Sequence, residues 1–276
     1  MIALGRMIAD HAFPTRFDSL VPIGHLTVFF SGLAVLTGAM MGLDPRSLGE
    51  MPVWLKPFKF SVSFAILFGT YALIVARLST PFRHSIFLLG AIVSSGAAAL
   101  GEIAYISAQA ARGEASHFND SSPYHEAMYG LMGLGATILM IGVAVVGAAA
   151  TLDGRTRFDG STRLGIALGT ALTVVLTFWV AGALAGNGGR YIGLPTPGGP
   201  RIPVLGWSRE VGDLRPAHFL SLHALQVLPL AGWLIGRVGI GRSAVWFFAA
   251  FYAALTCLVF FQALSGAPLA LALPSW

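Results

Sequence analysis

Charge is scarce in this sequence of 276 residues: Asp, Glu, Lys and Arg make up 11% of it, against roughly 25% in an ordinary soluble protein. With 55% apolar residues and a mean hydropathy of +0.75, a soluble enzyme and a nucleic-acid binder are both excluded. Cysteine is scarcer still. Cys257 stands alone inside an apolar run, which rules out an intrachain disulfide, a CxxC redox pair and a cysteine-cluster metal site, and leaves a small buried apolar role. Walker A, GxGxxG, HExxH and GxSxG patterns are absent, and Ser265-Gly266 after Gln262 is too short a signal for a serine nucleophile. Residues 1–20 carry Arg6, Asp10, Arg16 and Asp18 without an apolar stretch of signal-peptide length, so no cleaved leader is expected and the first span serves as the targeting signal.

What the chain has in abundance is long apolar runs. Their limits predict seven spans, at about 21–43, 57–77, 84–109, 123–150, 162–186, 216–236 and 243–268, each close to the ~20 residues a helix needs to cross ~30 Å of hydrocarbon. Strand-like alternation is absent, and a helix is the open-ended element that satisfies its own backbone in lipid. The expected fold is therefore all-α, a polytopic bundle of about seven transmembrane helices forming one domain over 1–276, with a tail at 1–20 and one long loop at 187–215. GxxxG spacings at Gly38/Gly42, Gly165/Gly169, Gly182/Gly186 and Gly232/Gly236 point to close helix packing rather than to function. Because Lys56 and Lys59 are the only lysines, a retinal Schiff base in the last span is excluded despite the count of seven.

Seven spans put the termini on opposite faces. The Met1 face holds nine Lys and Arg and the other face eight, nearly a tie under the positive-inside rule. The basic residues of the Met1 face sit in short links, which favours a cytoplasmic N-terminus and an outside C-terminus, in a bacterial inner membrane. The excess of 17 Lys and Arg over 12 Asp and Glu is then topological and does not imply a polyanion partner. The segment 187–215 is rich in Gly and Pro, yet Tyr191, Ile202, Val204, Leu205 and Trp207 give it apolar groups to dock with, so it reads as a cap over the outer face.

Polar residues gather on that outer face. Three helices entering from it begin alike, with Lys56-Pro57-Phe58-Lys59, Ser122-Pro123-Tyr124-His125 and Arg215-Pro216-Ala217-His218. Proline is an ordinary first helical residue, but a cation at a helix N-terminus is mildly unfavourable, by about 0.3–1 kcal/mol. Its repetition suggests a compensating anion, or histidines held neutral as ligands or bases. In the third span Glu102, Tyr105, Gln109 and Arg112 follow i, i+3, i+7, i+10 and share one face, which must look inward. A carboxylate some 10 Å deep costs ~2.5–3.5 kcal/mol unless paired, and Lys59 or a histidine is the obvious partner. In the sixth span His218, His223 and Gln226 form a polar face, although five residues is the wrong spacing for both imidazoles to bind one metal from a regular helix. Ser116-His117-Phe118-Asn119-Asp120 adds a further imidazole and carboxylate. On the Met1 face, His11, His25 and His84 are candidates for a second cofactor or for ordinary snorkelling positions, the latter two in the first turns of their helices.

Two functions follow as expectations. The first is a haem- or metal-dependent membrane enzyme, with redox chemistry preferred. It uses Glu102, Lys59, Tyr105 and Gln109 as the catalytic set and His125, His218, His223, Glu102 and His117 as metal ligands; with haem b, the histidines are axial and Arg112 and Arg215 meet the propionates. The second is a carrier or receptor for a small anionic or lipid-like ligand, held by Lys56, Lys59, Arg112 and helix N-termini. Pro229 is the one obvious internal breaker in the sixth span, and beyond the three Pro-X-cation starts no inverted repeat is evident.

Overall fold

A computed structural model describes residues 18–269 except 50 and 120; His11, the rest of the N-terminal tail, Asp120 and the C-terminal residue Trp276 lie outside the described residues. The described residues form seven helices long and apolar enough to cross a membrane. They are α1 (Leu20–Leu43), α2 (Leu55–Val75), α3 (Ile86–Arg112), α4 (Pro123–Leu152), α5 (Gly160–Gly186), α6 (Arg215–Arg237) and α7 (Ser243–Leu264). Large apolar side chains such as Val28, Val35 and Phe247 are about three-quarters exposed, at 73%, 75% and 77%, which in water would be untenable and in lipid is the expected outer surface. The protein is an integral membrane protein of the all-α class.

The helices fall into two compact units, Met1–Asp159 and Gly160–Trp276. In the first, α1 pairs with α2 and α3 with α4, while α2 also meets α3. The α1 contact is a narrow stripe, Ile23, Phe30 and Thr37 at seven-residue intervals, with Phe30 against Phe64 and Phe68 of α2 at 5.1 and 5.6 Å between ring centres. A small hairpin, β1 (Ser47–Leu48) with antiparallel β2 (Met51–Pro52), joins α1 to α2. At the other end Asp153 is buried after α4 and accepts hydrogen bonds from the Ser79 N–H at 2.6 Å and hydroxyl at 3.0 Å, tying two interhelix links together.

In the second unit α5 lies closely on α6. A Cβ at Gly165 would collide with the Leu228 carbonyl, one at Gly169 would lie 2.7 Å from Ala224 O, and one at Gly232 would lie 2.5 Å from Ser161 O. The glycines let one backbone touch the other, beside Pro229. Proline at 229 leaves the Leu225 carbonyl without its helical donor, and at the same turn the Leu225 N–H donates to Thr173 Oγ1 of α5 at 2.8 Å. Of the four GxxxG spacings, Gly165/Gly169 and Gly232 pack in this way. Gly38 meets only the Phe58 ring, and nothing lies within 4 Å of a Cβ at Gly42, Gly182 or Gly186 among the described residues. α7 closes the unit through Val259, Phe260 and Ala263 against Val180, Leu214 and Ala217.

Several boundaries differ from the sequence reading, and three of the differences have a visible local cause. α3 runs on to Arg112, since its stop signal is Gly113 in the left-handed region at φ 74°, with Glu114 N–H closing on Gln109 O. It starts at Ile86 rather than at 84, because Thr80–Arg83 forms its own helical turn and Ser85 is extended; His84 is therefore outside the helix, 3.7 Å from Asp18. α7 stops at Leu264, where Gly266 takes φ 79° and Pro268 cannot continue.

Candidate functional site

In the first unit the stripe on α3 turns inward as expected for three of its four members. Glu102, Tyr105 and Gln109 are all more than nine-tenths buried, whereas Arg112, in the last turn, is exposed, its long side chain reaching out of the apolar zone. Glu102 lies ten residues before the helix end, about 15 Å at ~1.5 Å per residue, deeper than a helix ending at 109 implied. Its carboxylate rests on α4: Oε1 is 2.9 Å, and Cγ 3.5 Å, from where a Cβ of Gly135 would stand. Glu102 Oε1 and the Tyr105 hydroxyl are buried without a hydrogen-bond partner among the described residues. The cation whose charge reaches Glu102 is Lys56. Lys59, the partner expected from the sequence, is half-buried and engaged.

Above this acid the end of the unit is a polar network. Past Gly113 the chain folds back, and Glu114 accepts from Gln109 Nε2 at 3.2 Å and stands 3.5 Å from His125 Nε2. His125 Nδ1 is 2.8 Å from the Ser122 hydroxyl and 3.2 Å from that of Ser121. Ser122 also caps α4, accepting from the His125 N–H. His117 Nδ1 lies 2.8 Å from the Lys56 ammonium, its ring against Phe60 and Tyr129. Phe118 beside it holds a left-handed φ of 51°, a strained backbone for a bulky residue, stabilised by its ring contact with Tyr129 and by Asn119 Nδ2 donating to Ala115 O. Arg46 forks onto Asp44 and donates to Ala111 O at 2.9 Å, fastening the α1–α2 link to the end of α3. Arg46, followed by the Trp54 ring N–H at 2.8 Å, holds the Asp44 carboxyl well below the usual carboxylate range.

The second unit holds the other imidazoles on α6. His218 Nδ1 is enclosed and has no hydrogen-bond partner among the described residues, while His223 bonds the Gln226 side chain and packs 4.2 Å from the Phe219 ring. Trp207 of the long loop lies on the other side of Phe219 at 5.7 Å. That loop is organised rather than slack. β3 (Tyr191–Ile192) pairs with β4 (Gly212–Asp213), and Ile202 is buried, although Leu194 is 95% exposed. Arg215, expected to meet a ligand, forks onto buried Asp213, donates to Gly206 O at 2.7 Å and lies over the Tyr191 ring, so its donors fasten the loop. At the loop's edge the Thr196 hydroxyl and N–H hold the Glu210 carboxyl below its ordinary range.

Thus Lys56, Glu102, Tyr105, Gln109, His117 and His125 belong to one region of the first unit, and His218, His223 and Arg215 to the second. Sequence reasoning missed Glu114, Gly135, Gly142 and the Asp44–Arg46–Trp54 clasp. A usable signal was the Asp-X-Arg pattern at 44–46 and again at 213–215. Among the described residues no three of His, Cys, Asp and Glu converge as metal ligands would. Comparison with known proteins found no matching family model, no similar curated protein and no similar solved structure.

Proposed function

We propose that the protein is a membrane carrier or receptor for a small anionic or lipid-like ligand, engaged at the Lys56 end of the first unit. The observation that carries this reading is the Glu102 carboxylate, buried in the helix bundle within reach of the Lys56 charge and with one oxygen unbonded among the described residues. An acid inside a membrane span is expensive, and one that no structural hydrogen bond consumes marks a ligand or ion pathway by default. Lys56 supplies the countercharge that an entering anion needs. Exposed Arg112 raises the local anion concentration at the rim.

The test is thermal unfolding of the chain in nanodiscs with a panel of small carboxylates, phosphates and lysolipids. One class raises the unfolding temperature, and Lys56→Gln weakens it roughly tenfold, about 1.4 kcal/mol. No stabilisation by any class, or unchanged binding in Lys56→Gln, sinks the reading. The orientation that goes with it has Met1 in the cytoplasm of a bacterial cell. A reporter fused after Trp276 is then active only outside the inner membrane.

A haem- or metal-dependent oxidoreductase is the second reading, favoured by His218, whose enclosed Nδ1 has no hydrogen-bond partner among the described residues. His218 and His223, five residues apart, would serve different roles in it. Oxidised and reduced absorption spectra of the purified chain, with elemental analysis, decide between the two readings: a Soret band or a stoichiometric transition metal favours the second.

A further inference from the structure

The contact between α3 and α4 is built on one register. Glu102 lies over Gly135 and Ser95 over Gly142, so seven residues separate both the polar groups and the glycines that receive them. Tyr71 of α2 reaches the same place, its hydroxyl 3.1 Å from where a Cβ of Gly142 would stand. Reading from the α3 C-terminus, the seam contains Gln109, Tyr105, Glu102, and then Ser95 with Tyr71, every one more than nine-tenths buried. Two of its oxygens, Glu102 Oε1 and the Tyr105 hydroxyl, have no hydrogen-bond partner among the described residues, whereas the Tyr71 and Ser95 hydroxyls meet each other at Gly142. Each such group costs about 1–3 kcal/mol when left dry, so two within one helical turn is a cost that packing alone does not explain. The Glu102 carboxylate lies so close to the α4 backbone at Gly135 that an organic molecule does not fit between them, whereas a proton needs no such room.

We propose that Glu102 is a proton-binding site, filled through Tyr105 and Gln109 from the end of the unit that carries Glu114 and His125. Tyr105 stands one helical turn from Glu102 and Gln109 one turn further, about 4.5 and 6 Å along the axis, so the three follow one another along a single helix face. The Tyr105 hydroxyl accepts a hydrogen bond on one side and donates on the other. At the end of the path an O–H bond forms on Glu102 as one breaks on the donor water, and nothing is oxidised or reduced. The ionisable group of α2 whose charge reaches Glu102 is Lys56, and Tyr105 accompanies it on its own helix. α4 meets this stretch with Gly135 and Met132, neither of which titrates. A proton on Glu102 removes the negative charge that competes for Lys56, so anion and proton enter together. This coupling rests on the anion site proposed above, whereas the proton site does not.

Infrared difference spectroscopy of the full chain in lipid vesicles, taken from alkaline to acid buffer, tests it. The expected signal is the carbonyl stretch of a protonated carboxylic acid in an apolar setting, shifted by D2O, absent in Glu102→Gln and displaced but present in Glu102→Asp. Tyr105→Phe keeps the band and slows its D2O shift roughly tenfold. A band that persists in Glu102→Gln, or does not move in Glu102→Asp, overturns the proposal, as does its absence from the unaltered chain at every pH where it stays folded. Failure of anions to bind while the band behaves as expected defeats the ligand reading alone.

Discussion

The two units bring their helices together by opposite means. In the second, glycines of α5 and α6 admit backbone against backbone, Gly165 on Leu228, Gly169 on Ala224 and Gly232 on Ser161. In the first, glycines of α4 admit polar side chains, the Glu102 carboxylate at Gly135 and the Ser95 and Tyr71 hydroxyls at Gly142. The same residue type thus does two jobs. Where backbone fills the space no side chain enters the seam, and where a side-chain end fills it the seam holds a polar group that lipid would otherwise forbid.

The largest effect that would break this contrast is a bulky residue at a backbone contact. Gly165→Leu has no flexible atom to displace, because its Cβ meets the Leu228 carbonyl and the Pro229 backbone. The expected loss is about 3 kcal/mol or more, the upper end of overpacking costs, read as loss of monodisperse folded protein in detergent. Gly182→Leu, with nothing within 4 Å, is the control and should unfold like the parent. Equal behaviour of the two would mean that α5 and α6 are not in backbone contact.

Next in size is Asp213→Asn, which leaves the Arg215 fork half-satisfied. Asp213 is 1% exposed at its side chain and Arg215 26%, so the loss is about 1–3 kcal/mol rather than that of a wholly buried pair. It should appear as faster tryptic cleavage after Arg201 and Arg209. An unchanged cleavage rate would show that β3, β4 and Trp207 hold the loop without the ion pair.

Gly135→Ala sharpens the comparison from the other side. Its Cβ would meet only the end of the Glu102 side chain, which can rotate at about the cost of one off-rotamer torsion, roughly 0.5–1.5 kcal/mol. The chain should stay folded while the infrared signal assigned to Glu102 moves. A loss as large as that of Gly165→Leu would make Gly135 a backbone contact as well, and the distinction between the units would fail.

These contrasts mark how far the sequence could be read. The spans were legible because apolar length is a one-dimensional property, and their starts were legible because proline and cap residues are local. Glu102, Tyr105 and Gln109 were legible as one inward face because helical periodicity alone brings them together. The four GxxxG spacings look alike in the sequence, yet Gly165, Gly169 and Gly232 meet a backbone while Gly42, Gly182 and Gly186 have nothing within 4 Å, since which face turns to a neighbour depends on distant residues. Gly135 and Gly142 carried no signal, being two glycines among 34. Arg215 looks like a ligand group in the sequence because nothing there marks Asp213, two residues before it in the loop, as the carboxylate that its fork takes. The extension of α3 past 109 has its sequence signal in Gly113, the residue that takes the left-handed cap.

The smallest effect compares the two Asp-X-Arg clasps, which share their geometry but not their surroundings. In each, the Arg N–H donates to Asp Oδ1 at 3.1 or 3.0 Å and Nε to the same oxygen at 2.9 Å. Arg46, however, is 51% exposed against 26% for Arg215, so solvent and salt screen the first clasp more strongly. Arg46, then Trp54, depresses the folded value of Asp44 below its unfolded value of ~3.9. A depressed carboxyl contributes stability that is present above the unfolded value and is lost as pH falls through the folded one. The clasp should therefore survive acidification past ~4, the range where an unassisted aspartate takes up its proton. Trp54 reports this directly, because its ring N–H donates to Asp44 Oδ2. The fluorescence difference between the parent and Trp54→Phe should stay flat through that range and change only in stronger acid, with little change in unfolding temperature. In Asp44→Asn the tryptophan signal should differ from the parent already at neutral pH. A parent transition centred near ~4 would mean that Arg46 does not hold the carboxylate, and that the link between α1 and α2 is fastened by the hairpin alone.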